Sequence, residues 1–213
     1  MSFVSANWGD IVHRALLHAW LAGLPLFLGL LISLPVGWLA QRSRVLRPFL
    51  VVGSGLLYTI PSLALFILMP LIIGTKILDP LNVIIAMTIY TIALLVRSVS
   101  DALAAVPADV RQAATAMGYT PARRFLAVDL PLAVPVLAAG LRVAAVSNVS
   151  IVSVASLVGI SQLGFYLTDG YERTYGTEIG VGIVACVVLA LIFDLTIVLL
   201  ARVLTPWQRV NAA

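Results

Sequence analysis

Polar residues are so sparse along this chain that they punctuate it. Five apolar runs stand between them, at residues 19–40, 49–74, 81–96, 132–158 and 179–201. Runs of this kind match the about 20 residues that a helix needs to cross a bilayer's hydrocarbon core, so the pattern predicts five spanning helices. The first run contains Pro25 and Pro35, which membrane helices tolerate when neighbours re-satisfy the freed backbone groups. The second contains Pro61 and Pro70 and is long enough to tilt, kink or begin with an interfacial turn. Short polar loops at 75–80 and 161–177 separate the later runs, and there is no internal repeat, low-complexity tract or linker.

Residues 109–131, DVRQAATAMGYTPARRFLAVDLP, are too polar to span a membrane and too structured in pattern to be a linker. Strong helix formers fill 111–117, and Gly118 follows where a left-handed C-terminal cap is wanted. Thr120 is placed to cap a second helix whose first position is Pro121. That helix is expected to run over 123–128 until Pro131 forbids continuation. Ala113 and Ala114 leave one flank of the first helix almost bare, so another protein can approach its backbone closely.

Composition fixes the class. Hydrophobic residues make up 62% of the 213, charged residues 10%, and mean hydropathy is +1.10, far from a soluble globular domain. One membrane domain accounts for the chain. The net charge of +4 does not mark a nucleic-acid partner, because the basic residues are scattered at the ends of apolar runs. They report topology instead. Arg42, Arg44, Arg47, Arg97, Arg111, Arg123, Arg124, Arg202 and Arg209 fall on one side, nine in all, against three on the other, Arg14, Lys76 and Arg173. Cytoplasmic loops hold the excess, which puts the N-terminus outside, the C-terminus inside and residues 109–131 in the cytoplasm. Residues 1–20 lack the pattern of a cleaved signal, so the first span is expected to direct insertion.

Catalytic chemistry is not legible. Lys76, the single lysine, sits between Thr75 and Ile77 and cannot complete a phosphate-binding loop, and neither a Ser/His/Asp set nor paired carboxylates suggest an enzyme. Cys186 stands alone in an apolar run, and His13 and His18 are five apart, off the spacing of a helical metal pair. Inside the spans, Ser147, Asn148, Ser150, Ser153 and Ser156 form a slowly drifting stripe that either lines a path or holds helices together. Arg142 is expected to snorkel toward the cytoplasmic surface. Asp194, deep in the last span, reads as a cation contact or as a structural partner for hydroxyls or an arginine. Tyr58, Thr59, Pro61 and Ser62 interrupt the second run at a kink that either borders a path or is a packing bend. Phe165, Tyr166, Tyr171 and Tyr175 form either a cage for a quaternary ammonium or an interfacial belt.

Gln112, Ala113, Ala114, three residues, Gly118, nine residues, Val128, one residue, Leu130 and Pro131 resemble the EAA signature of ABC importer permeases, with Gln112 in place of Glu and Val128 in place of Ile. The stretches TIPSLALF at 59–66, MGYTPARRFLAVDLPLAVPVLAAGLR at 117–142 and VGISQLG at 158–164 are similar to permeases for osmoprotectants. The resemblance implies an all-α, polytopic, five-helix type I importer core over 19–206 with a coupling loop at 98–131, an extracytoplasmic segment at 1–18 and a cytoplasmic tail at 207–213. It implies a bacterial inner-membrane protein that imports glycine betaine, carnitine, choline or proline, with methionine, phosphonate or another small solute as the alternative. An external solute-binding protein would deliver the solute, and a second permease copy or a sister chain would complete the path. A separate ATPase would hold the ATP and Mg and receive the coupling loop, leaving no cofactor in this chain. A secondary carrier would instead show inverted repeats and ion-coupling residues, and an assembly subunit would have no use for the spaced loop.

Overall fold

A computed structural model describes residues 2–43 and 45–207, so Arg44, Arg209 and all of the tail 207–213 except Trp207 lie outside the described residues. Its elements are helical: α1 (Ser2–Ala6), α2 (Trp8–Arg42), α3 (Leu46–Tyr58), α4 (Ser62–Ile73), α5 (Pro80–Ala104), α6 (Ala108–Ala116), α7 (Pro121–Arg124), α8 (Leu130–Ser153), α9 (Phe165–Glu172) and α10 (Gly176–Leu204). Four helical stretches are long and apolar enough to cross a membrane, and the α3–α4 pair brings the number to five if it is one span.

The first span begins eleven residues earlier than its apolar run, because the helix starts at Trp8 and carries Pro25 and Pro35 inside it. The second run is not one rod. α3 and α4 meet at 99°, with Thr59 to Pro61 outside helix. Pro61 has no N–H to continue α3, and the carbonyl of Ile60 receives the Tyr90 hydroxyl of α5 instead. α5 then outruns its apolar stretch by a full two turns, since nothing between Arg97 and Ala104 breaks a helix. Its start is fixed by Asp79, which accepts from the Leu81 N–H at 2.9 Å, with Pro80 at the first position.

α5 is the axis of the bundle. α2 lies along it, α3 and α4 flank it, α8 packs against both α5 and α2, and α10 covers α8 and α9. Leu21, Met87, Leu95, Val149, Val152 and Leu163 are fully buried there. Small residues set the spacing: Gly29 and Gly37 of α2 leave no room for a methyl group against Thr91 and Val99, and Gly140 of α8 none against Ser98.

Pro131 does not stop the helix. Residues Phe125–Asp129 form a π-helical turn in which the Leu130 N–H reaches the Phe125 carbonyl, so α7 runs on into α8. The shifted i→i−5 register accommodates the donor that Pro131 lacks at the first turn of α8.

Candidate functional site

The elbow between α5 and α8 is built by local chemistry. α6 ends in a Schellman motif: the Tyr119 N–H bonds to the Ala114 carbonyl at 3.2 Å and the Gly118 N–H to the Thr115 carbonyl at 3.0 Å. Gly118 adopts φ +84°, which its missing Cβ permits at little cost. The Thr120 hydroxyl then accepts from the Arg123 N–H at 3.4 Å, and Pro121 opens α7. Gln112, Ala113 and Met117 are exposed, but Ala114 is buried, so the bare flank expected from two adjacent alanines is corrected to one. Consecutive helix positions point about 100° apart, and only Ala113 is on the outer side. Val128, Leu130 and Pro131 are half-buried where the elbow meets the span.

Arg124 locks this geometry, a role that sequence reasoning missed. Its Nη1 donates to the Thr115 hydroxyl of α6 at 2.9 Å, and its Nε lies 3.4 Å from the Asp129 carboxylate in the π turn. The signal was a spacing of five between Arg124 and Asp129, which is out of phase for an α-helix and in phase for a π turn. Phe125 stacks on Trp38 of α2, with ring centroids 5.3 Å apart, and joins the cluster of Val99, Leu103, Val106 and Ala133. The elbow is therefore tied to α2, α5 and α8 together.

The polar stripe of α8 divides. Asn148 turns inward and is buried, its amide donating to the Thr91 hydroxyl at 2.9 Å and to the Ala22 carbonyl at 3.2 Å. It joins α2, α5 and α8. Ser150 is exposed and Ser147 half-buried, while the Ser153 and Ser156 hydroxyls bond back to the carbonyls of Ser150 and Ser153 at 2.6 and 2.9 Å. Arg142 does not reach for the surface. Its Nε and Nη2 hold both carboxylate oxygens of Asp194, at 2.6 and 2.9 Å, across α8 and α10.

Tyr58 and Ser62 border the α3–α4 bend, Tyr58 exposed and edge-on to Tyr90 at 5.7 Å. The helices that meet at the bend both pack on α5, and α4 also packs on the 3-10 turn Val154–Val158. Phe165, Tyr166 and Tyr175 gather around Phe3 or each other, while Tyr171 stands 80% exposed, so the four rings do not form one cage. The cation over Phe165 is the chain's own Arg14, 3.8 Å from the ring centroid. Tyr166 donates its hydroxyl to Asp10 at 2.6 Å, and burial first, then that carboxylate, pushes the phenol up. Among the described residues no three His, Cys, Asp or Glu side chains converge as a metal site would require.

Spanning helices tied by inward polar side chains, with a structured elbow between two of them, define a polytopic helical membrane protein. The chain belongs to the family described as binding-protein-dependent transport system inner membrane component, whose sequence profile matches residues 11–210. It is 33% identical to the osmoprotectant import permease protein OsmW of Salmonella typhimurium over 203 residues, 94% of each chain. It is 28% identical to the glycine betaine/carnitine/choline transport system permease protein OpuCD of Bacillus subtilis, over 98% of this chain and 90% of that one. Its fold superposes on a chain of the inward-facing MetNI methionine ABC transporter with a TM-score of 0.81 at 24% identity, covering 92% of this chain and 96% of the other.

Proposed function

We propose that this chain is the permease subunit of an ATP-driven importer that carries an osmoprotectant, such as glycine betaine, carnitine, choline or proline, across the inner membrane. The similarity to OsmW over 94% of both chains carries this reading. The N-terminus is outside and the C-terminus in the cytoplasm. A second permease, identical or a sister chain, completes the path, because five helices are too few to enclose a solute on all sides. Solute arrives from an extracytoplasmic binding protein, and ATP and Mg are held by a separate ATPase.

In this reading the elbow is the coupling site. Gln112 and Ala113 present the outer flank of α6 to a groove on the ATPase, with Ala114 behind them and Gly118 turning the chain. Val128, Leu130 and Pro131 pass motion into α8. Ser147, Ser150 and Asp194, with Arg142, face the solute path, and Tyr58 and Ser62 border it at the bend. ATP-driven closure of the ATPases moves the elbows and swings the spans between inward-facing and outward-facing arrangements.

The test is co-purification with the ATPase and binding protein followed by ligand-stimulated ATPase assays in proteoliposomes. Betaine, carnitine, choline or proline should stimulate hydrolysis several-fold. Stimulation by methionine or a phosphonate alone would replace the solute class. Reporter fusions after Arg47, Lys76, Arg124 and Arg173 test the topology, and an extracytoplasmic signal after Arg124 would end the coupling role.

A further inference from the structure

The Arg142–Asp194 pair lies in an unusual place for two charges. Arg142 is 12 residues beyond Leu130 and Asp194 is 10 residues before Leu204, about 18 and 15 Å along their helices. Both lie inside the apolar runs 132–158 and 179–201, Arg142 ten residues past Leu132 and Asp194 seven residues before Ala201. The pair is also open. Its side chains are 47% and 26% exposed, and it borders a hollow of about 370 Å³ lined by Ala139, Arg142, Val143, Val146, Ser147 and Asp194. Arg142 separates that hollow from a second one, of about 200 Å³, which continues toward Thr205 between Pro135 and Val198. An ion pair at this depth does not face lipid, since charged side chains in spans turn to protein or to water-filled space. Two hollows in line along the α8–α10 groove, divided by a guanidinium, have the form of a passage with a charged constriction.

We propose that this constriction selects net-neutral zwitterions by exchanging ion pairs, an inference that rests on the importer reading above. In the empty chain Arg142 and Asp194 neutralise each other. Removing either partner would leave the other charge without its counter-ion inside the span. A solute with both a carboxylate and a quaternary ammonium avoids this. Its carboxylate takes the forked N–H donors of Arg142 while its cation lies beside Asp194, so one pair becomes two and no charge is left alone. A solute that is only a cation would take Asp194 and strand Arg142; one that is only an anion would do the reverse. The fork on Arg142 also sets the direction in which the solute enters, because a quaternary ammonium has no N–H and gives Asp194 no directional bond.

The experiment compares uptake of glycine betaine and choline by the complete complex in proteoliposomes. Arg142→Gln should shift the betaine-to-choline ratio at least tenfold toward choline, and Asp194→Asn should shift it toward betaine. Parallel loss of both solutes in both variants, with the betaine-to-choline ratio unchanged, would make the pair a helix staple and overturn the proposal. If those variants fail to assemble, Ser147→Cys in a Cys186→Ala background gives a second reading. A charged, membrane-impermeant thiol reagent should modify it, more slowly with betaine present. Absence of modification in every nucleotide state would overturn the proposal as well. Wild-type complex that carries none of betaine, carnitine, choline and proline would instead defeat the osmoprotectant reading and take this inference with it.

Discussion

The imidazole of His18 joins two distant parts of the chain: Nδ1 lies 3.0 Å from the side-chain carbonyl of Gln162 and Nε2 lies 2.9 Å from the backbone carbonyl of Val149. Gln162 is itself fixed, its amide nitrogen donating to the carbonyls of Val152 and Ser153 at 2.8 and 3.2 Å. Those carbonyls are freed where α8 tightens into its 3-10 end. One fully buried node therefore pins the segment before α9 to α2 and α8.

His18→Ala should leave a cavity and unpaired buried groups at this node, costing about 2–4 kcal/mol. The purified permease should melt several degrees lower, measured by thermal unfolding in detergent. An unchanged melting point would show that the node holds nothing together.

Gly118→Asp should insert normally but abolish binding-protein-stimulated ATP hydrolysis. A Cβ at Gly118 meets nothing within 4 Å, so the fold itself has space for it. The change acts through the φ of +84° and through a new charge on this exposed turn. Stimulated hydrolysis at the wild-type rate would remove Gly118 from coupling.

Arg124→Met should loosen the elbow by about 1–3 kcal/mol, because Asp129 stays 6% exposed and loses its cation. Arg124→Met with Asp129→Leu should recover much of that, since no buried carboxylate remains. A double-mutant cycle on thermal stability reads the coupling, and strict additivity would show that the two side chains act separately.

Gly140→Val should disrupt the bundle. A Cβ there would come within 2.6 Å of Ser98 Cβ, forcing α5 and α8 apart, whereas Gly53→Ala meets open space and should be silent. Expression of folded, monodisperse protein measures both, and equal yields would contradict the close packing.

Much of the fold was readable because lipid simplifies the problem: a run of apolar residues between arginines has few other structures to adopt. The helix ends were harder. Trp8 and Ala104 extend their helices past the apolar runs, because helix continuation depends on the absence of a breaker and not on hydrophobicity. Pro131 was misread because its effect depends on the register of the turn before it, at which only the spacing of five between Arg124 and Asp129 pointed. The break at Tyr58 to Ser62 was visible, but not its angle, which Tyr90 of another helix helps to hold. At the elbow, the caps at Gly118 and Thr120 are local and followed from neighbouring residues. The partner of Asp194, 52 residues away, was not local and did not.

The unbroken passage from α7 through the π turn into α8 means that the elbow and the spanning shaft share one backbone, with no break between them. A displacement entering at Pro121 therefore meets no slack joint before it reaches α8. It travels as the tilt or slide of a rod 38 residues long, from Pro121 to Val158. The extra residue wound into the turn is the spot where that rod can change its pitch, and so the tilt of everything that follows it.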